Sequence, residues 1–367
     1  MTKSSDHDRL IRCDMQPGFF AWMRDHPVSL AVTTYQAGKL LFLGWNGNTV
    51  SLHAKNFSKA MGLDVSEDGS LALATRDEIR LFRNDPLLAP DCNPNNPGYY
   101  DALFLPRVSY FTGNLFAHDL AFVKDEIWFV NTRFSCLATA SGAYGFEPRW
   151  QPSFISELAP EDRCHLNGLA LRDGVPSVVS ALGRGDGKGS WRENKSSGGI
   201  LIDLESDKII LDGLTMPHSP RWHKNRLWLL NSGQGELLML KSPGQAETVC
   251  KLPAYLRGLA FFDDYALVGL CKIREKKTFG GMPVEERVGQ LVCGIAIVDL
   301  VRRECVGIFE FTDGVDEIYD IRVLDGIRQP NLFLRDEDPA DDSITAPAFS
   351  YWIREKPAPA AVAAADA

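Results

Sequence analysis

A short apolar strand, a turn and a second short apolar strand recur along this chain, and that recurrence limits the fold more than any other feature. One unit reads Met61-Gly62-Leu63-Asp64-Val65 and then Leu71-Ala72-Leu73-Ala74-Thr75. The next reads His118-Asp119-Leu120-Ala121-Phe122 and then Ile127-Trp128-Phe129-Val130-Asn131. Three more start at Asn167-Gly168-Leu169, Ser219-Pro220-Arg221-Trp222 and Arg257-Gly258-Leu259. A weaker sixth runs Tyr319–Leu324 and then Asn331–Leu334. Runs this short, rich in Leu, Val, Trp and Phe and bounded by turn residues, are strands; helical periodicity is nearly absent. The starts lie roughly 40 to 60 residues apart, the spacing of propeller blades. A four-stranded blade cannot bury both faces alone, and radial stacking solves that problem. The expected fold is therefore all-β, a six-bladed β-propeller. A seven-bladed ring or a two-domain β-protein is the alternative.

The ring must also close. Val28–Thr34, Lys39–Trp45 and Thr49–Ala54 are strand-like and precede the first full unit. Thr34-Tyr35-Gln36-Ala37-Gly38-Lys39-Leu40-Leu41 matches Ser232-Gly233-Gln234-Gly235-Glu236-Leu237-Leu238, which follows the second strand of its own unit. By that analogy Val28–Thr34 is a second strand whose first strand is Tyr319–Leu324, and one blade is closed by strands from both termini. The expected organisation is an N-terminal extension over 1–27, the propeller over 28–335, and a C-terminal extension over 336–367. The last of these ends in a Pro/Ala-rich tail read as disordered.

Composition narrows the function classes. Nothing approaches the roughly 18 apolar residues of a membrane helix. The start is polar, without a signal-peptide pattern, and a cytoplasmic location is expected. The eight cysteines are scattered singly with no C-x-x-C pair, which argues against a disulfide framework or a zinc ribbon. A formal charge of −9 argues against general nucleic-acid binding. There is no P-loop, G-x-S-x-G or H-E-x-x-H motif, and no nucleotide cofactor is expected.

In an antiparallel blade, the loop leading into strand one and the loop leaving strand two lie on the same face. The starts of first strands carry His118-Asp119, His165 with Asn167, His218-Ser219, Arg257, and Glu317 with Tyr319-Asp320. The ends of second strands carry Arg76, Asn131 with Arg133, Arg184, Asn231 with Gln234, and Lys272 with Arg274-Glu275; the stitched blade adds Tyr35 and Gln36. Three of only seven histidines fall at strand starts. Polar groups held at the ends of rigid strands around one mouth are what a preorganised site requires. The candidate catalytic residues are His118, His165, His218, Asp119, Glu275 and Asp320, with the histidines as acid and base. The candidate binding residues are Tyr35, Gln36, Arg76, Asn131, Arg133, Asn167, Asn231, Gln234, Arg257, Lys272 and Arg274. So many cations in an acidic chain suggest an anionic ligand, since Arg forks hold planar oxyanions. The plain alternatives are that the histidines bond backbone between blades and that the asparagines cap turns. Gly183–Ser190 and Lys276–Gln290 read as loops over the mouth.

His165-Leu166-Asn167-Gly168-Leu169-Ala170 resembles the blade signature of the gluconolactonase and strictosidine-synthase propeller superfamily. That resemblance implies a six-bladed propeller and, in metal-dependent members, one divalent cation at the mouth, with Asn167 as its matching ligand here. Histidines stand where that family's carboxylates are expected. Tyr35-Gln36-Ala37-Gly38-Lys39, Met216–Trp222, Leu229–Leu237, Arg257–Phe261 and Lys272–Glu275 with Phe279–Pro283 resemble more closely a family of bacterial propeller-like proteins of unknown function. The expected function is a small-molecule enzyme acting on an anionic, carboxylate-bearing substrate by hydrolysis, elimination, isomerisation or cyclisation. It is either metal-independent or a metal-dependent, lactonase-like hydrolase. The alternative is a non-catalytic propeller that binds a small anion, a peptide or a protein partner.

Overall fold

The structure, a computed structural model, describes residues 10–273, 276–335 and 339–353, with residues 277 and 278 as backbone only. Six sheets, each built on four antiparallel strands, stand in a ring. Their innermost strands are Leu63–Val65, Ala117–Val123, Leu166–Arg172, Pro217–His223, Tyr255–Phe262 and Asp320–Asp325, in blades I to VI. Each innermost strand touches its neighbour on both sides, including the last against the first, so the ring is closed.

Blade VI is the stitched one. Its strand order is Asp320–Asp325, Val28–Thr34, Lys39–Trp45 and Val50–Asn56. The register runs from Val28 opposite Asp325 to Thr33 opposite Asp320. Asn331–Leu334, read as the partner of Tyr319–Leu324, goes elsewhere: Pro330–Leu332 pairs in parallel with Ala102–Phe111 at the outer edge of blade I. Val28–Thr34 already occupies the partner's place. The outer edge of blade V is covered in turn by Arg12–Met15, which pairs with Glu304–Asp313. These added strands protect edges that would otherwise expose unpaired backbone. Helix Pro17–Asp25 follows, with Pro at its start and Phe19, Trp22 and Met23 buried. Their i, i+3, i+4 spacing places all three on one face, against the same strand of blade V. No helix among the described residues is long and apolar enough to cross a membrane.

The core is divided between blades because side chains on a strand alternate between its two faces. Leu71 and Leu73 pack with Phe42 of blade VI, while Ala72 and Ala74 pack with Phe129 of blade II. Leu229 faces blade III and Leu230 faces blade V. The inner strands approach so closely that a side chain is excluded at the glycines. A Cβ on Gly168 would lie 2.4 Å from Pro220 Cδ, and one on Gly62 would lie 2.9 Å from the Asp119 backbone.

Polar clasps link the inner strands. Asp320 accepts the Leu63 N–H at 3.3 Å, Asp64 accepts that of Phe122 at 3.0 Å, and Asp119 accepts that of Leu169 at 3.0 Å. Ser219 does the same for Gly258 at 3.1 Å. Each carboxylate reaches from one blade to the next. Two arginines neutralise them. Arg221 grips both oxygens of Asp119, at 2.7 and 3.1 Å. Arg322 bonds Asp64 at 2.9 Å and Asp320 at 2.7 Å.

Candidate functional site

A cavity of about 610 Å³ opens where the first strands begin. Its rings are Tyr35, Phe116, Trp191, Phe279 and Tyr319. Its polar and charged members are Gln36, Lys59, His118, Asp162, His165, Arg192, Arg257 and Glu317.

The local backbone aims the imidazoles by a repeated device. Phe116 and Met216 adopt φ of 55° and 52°, a conformation uncommon for residues other than glycine. Two residues later His118 and His218 each direct Nδ1 at that residue's carbonyl, both at 2.9 Å. A carbonyl only accepts, so Nδ1 carries the proton and Nε2 is a lone pair. For His218 the assignment has a second support: Arg257 Nε donates to His218 Nε2 at 3.1 Å. His218 is thus a neutral acceptor beneath the cavity that orients Arg257. The Arg257 guanidinium lies 4.5 Å from the centre of the Tyr319 ring. Burial opposes its charge, but Tyr319, Tyr255 and Glu317 outweigh that, and its pKa lies above the ordinary guanidinium value.

His118 sits on the other flank of Tyr319, ring centroids 5.5 Å apart. Burial, with the neighbouring His165 and Arg257, holds its pKa well below 6.5. Burial and Arg257 do the same for His218. Both are neutral bases at physiological pH. His165 is built differently. Its Nδ1 meets Asp162 Oδ1 at 2.8 Å, while Asp162 Oδ2 accepts Trp191 Nε1 at 3.0 Å and Arg192 at 3.3 Å. His165 Nε2 is buried without a partner, with the Trp191 ring 4.5 Å and the His118 ring 4.9 Å away.

Of the residues proposed from sequence, the cavity brings together Tyr35, Gln36, His118, His165 and Arg257, with His218 directly behind Arg257. It does not include the rest. Asp119 and Asp320, expected among the catalytic residues, serve the interblade clasps instead; on a strand whose histidine faces the mouth, the next side chain turns to the channel wall. Asn131 is fully buried and accepts the Phe134 N–H of its own turn at 3.2 Å. Asn231 accepts the Thr215 N–H at 2.8 Å, and Gln234 donates to the Thr215 hydroxyl at 3.2 Å. Lys272 pairs with Asp316 at 3.5 Å. Arg133 donates to the Asn114 carbonyl at 2.5 Å and covers the Phe116 ring. Arg76 and Arg184 are exposed. Arg274 and Glu275 lie outside the described residues.

Asp162, Trp191, Arg192, Phe279, Phe116 and Lys59 were absent from the sequence-derived set. Asp162 stands three residues before His165 and Phe116 two before His118, so a search a little upstream of each strand start finds them. Trp191 and Arg192 arrive on the loop that follows Gly183–Ser190. Phe279 arrives on the segment after Lys276. These two loops meet over the mouth, where Lys195 Nζ donates to the Gly280 carbonyl at 3.0 Å.

The cation site implied by the lactonase resemblance does not fit these residues. Asn167 gives its amide to the Pro217 carbonyl at 3.4 Å, and Asp119 and Asp320 are held by arginines. Among the described residues no three of His, Cys, Asp and Glu converge as metal ligands.

Solved structures match the chain at low sequence identity. A chain of a nidogen/laminin complex matches with a TM-score of 0.52 at 11% identity, covering 82% of this chain and 99% of that one. Virginiamycin B lyase from Staphylococcus aureus matches with a TM-score of 0.40 at 9% identity, covering 83% and 100%. A Bacteroides fragilis protein described provisionally as a 6-phosphogluconolactonase matches with a TM-score of 0.46 at 10% identity, covering 81% and 98%. At such identities the likeness concerns fold alone. No curated protein matches the chain in sequence. A family model does: the one described as Domain of unknown function (DUF4915) spans residues 17–333, which takes in all four strands of every blade, and the chain belongs to that family.

Proposed function

We propose that the protein is an acid–base enzyme acting on a small carboxylate, with Arg257 as the clamp and His118 as the base. The observation that carries this reading is the arrangement around Tyr319. A neutral imidazole with its Nε2 lone pair and a guanidinium pack against the same ring. His218 takes only the Nε proton of Arg257, which leaves the terminal N–H fork for a planar oxyanion. The carboxylate lies on Arg257, and His118 Nε2 takes a proton from the carbon, hydroxyl or water beside it. Hydrolysis, elimination, isomerisation and cyclisation all use that step.

The test incubates the protein with a panel of N-acyl amino acids, hydroxy acids and keto acids and follows products by mass spectrometry. His118→Gln is expected to lower turnover by about 100-fold or more with little change in melting temperature. The pH profile is expected to carry the sign of the shift. Because the folded pKa of His118 lies below 6.5, the base stays unprotonated through that pH, and the acid limb of kcat/KM falls below it. Carboxylates that bind but are recovered unchanged, with the same affinity in His118→Gln, would make the protein a binding module and end the catalytic reading.

A further inference from the structure

The clamp and the base use Arg257 and His118, and a second cation on the wall has no part in that reading. Lys59 lines the cavity and is partly buried. It belongs to the loop between Val50–Asn56, the outer strand of blade VI, and Leu63–Val65, the inner strand of blade I. That loop is tied down on both sides of the lysine. The Phe57 N–H donates to the Gly38 carbonyl at 2.7 Å and the Met61 N–H to the Ala74 carbonyl at 2.8 Å, and Phe57, Ala60 and Met61 are buried. The Lys59 ammonium donates to the Tyr35 hydroxyl at 3.0 Å and lies 5.0 Å from the centre of the Tyr35 ring. Tyr35 stacks on Tyr319, ring centroids 5.6 Å apart, and Tyr319 carries Arg257. Lys59 therefore stands on one tyrosine of the stack and Arg257 on the other.

The surroundings of the two remaining charges differ from those of Lys59. Arg192 pairs with Asp162 at 3.3 Å, and Glu317 favours the charge of Arg257. Among the described residues the Lys59 ammonium finds the neutral Tyr35 hydroxyl and no carboxylate. An ammonium has three N–H donors and no acceptor, and only one is given to Tyr35. Because the Tyr35 oxygen accepts that bond, its own proton is left to donate elsewhere. The corner thus offers donors only, around a positive charge. The free fork of Arg257 does the same. The complement of such a corner is an oxyanion, whose charge-assisted bonds are the strong ones. One ammonium matches the single charge of a carboxylate, whereas a phosphate group brings close to two. A volume of about 610 Å³ lies within the usual range of small-molecule sites, which gives room for a ligand that reaches both corners.

We infer that the cavity takes a dicarboxylate, with one carboxylate on Arg257 and the second on Lys59 and the Tyr35 hydroxyl. Lys59 is the residue that selects diacids over monoacids. The inference rests on the proposed role of Arg257 as the carboxylate clamp.

Three probes separate the two claims. Binding of linear aliphatic diacids from succinate to suberate to the full-length protein is measured by calorimetry, and the tightest is compared with its monoamide and its diamide. An amide keeps the shape of a carboxylate without its charge. The diacid is expected to bind at least about tenfold more tightly than the monoamide, a difference of about 1.4 kcal/mol. Lys59→Met, which keeps a long apolar stem, is expected to abolish that difference while keeping the affinity for the monoamide. Tyr35→Phe, which removes only the hydroxyl and leaves the ring stack, is expected to reduce it in part. Melting temperatures show that the variants are folded. Equal binding of diacid and monoamide by the native protein overturns the second carboxylate and leaves the clamp standing. So does a preference that survives Lys59→Met. Tighter binding of the phosphonocarboxylate of the same length overturns the carboxylate as the second group. If the diamide binds as tightly as the monoamide, the clamp fails instead. No binding of any diacid at millimolar concentration overturns the inferred ligand class.

Discussion

The wall of the channel and its mouth use the same kinds of residue to opposite ends. On the wall, Asp64, Asp119 and Asp320 face Arg221 and Arg322, and every carboxylate also accepts a backbone N–H from the adjacent blade. At the mouth, one strand position away, His118, His165 and Arg257 have one side anchored and the other side open to the cavity or unpaired. Buried charge that is fully paired holds structure. Polar groups anchored on one side only are poised for something from outside. Position in the blade therefore does not tell a functional residue from a structural one, whereas the partners each side chain finds there do.

The sharpest way to break the contrast is Asp119→Ala. It leaves the Arg221 guanidinium, itself largely buried, without its main counter-charge and strands the Leu169 N–H between blades II and III. Removing one partner of a buried pair costs about 3–5 kcal/mol. Urea unfolding is expected to show a loss of that size. His118→Gln, one residue earlier, is expected to lose turnover and almost no stability. A cost below about 1 kcal/mol for Asp119→Ala would mean that the wall network is incidental and that the contrast has no energetic basis.

The same contrast explains what the sequence could and could not reveal. Apart from Asn331–Leu334, which pairs with blade I, the strand pairs, the stitched blade and the six-fold ring were readable because period-two alternation and glycine placement are local. Leu71-Ala72-Leu73-Ala74 alone shows a strand with both faces buried. The side of the ring on which strand starts cluster was readable too: His118, His165 and Arg257 line one cavity there, with His218 behind Arg257. What the sequence hid was direction. His118 and Asp119 are adjacent and equally polar, but a strand turns successive side chains to different surroundings. Only the structure shows Asp119 spent on Leu169 and Arg221. Likewise Trp191 joins His165 through a loop whose path no local pattern dictates, and Asp162 joins it through a turn with a left-handed residue, φ 52°. Asn131 and Asn231 looked like ligands because turn-capping asparagines and ligand asparagines have the same sequence context.

His218 lies on the boundary between the two regions, fully bonded like the wall but supporting the mouth. As a positioning residue it acts through Arg257. His218→Leu leaves the Arg257 Nε–H buried without an acceptor, at a cost of about 1–3 kcal/mol in stability. Lost packing alone would stop there. Misplacement of the clamp adds a specific signature: affinity for the monoamide of the diacid should fall about tenfold, while the carboxylate-free diamide binds unchanged. His218→Gln, which retains an acceptor, should recover part of the lost affinity. Parallel losses for both ligands in His218→Leu would place the residue with the wall.

The smallest effects belong to the cations around the rim that the cavity leaves out. Arg76 is exposed, and its replacement by Ala is expected to change stability by no more than about 0.5 kcal/mol and ligand affinity not at all. Arg133 is a finer case. Its guanidinium lies 4.4 Å from the centre of the Phe116 ring, and the Phe116 carbonyl is what orients His118. A cation on an aromatic face at an accessible site contributes about 0.5–1 kcal/mol, so Arg133→Met should cost about that much. The carbonyl, however, is fixed by the left-handed backbone at Phe116 and not by the ring. Turnover and the acid limb of the pH profile should therefore be unchanged in Arg133→Met. A displaced acid limb in that variant would show that the rim tunes His118 through Phe116, and the boundary of the site would have to be drawn one layer further out.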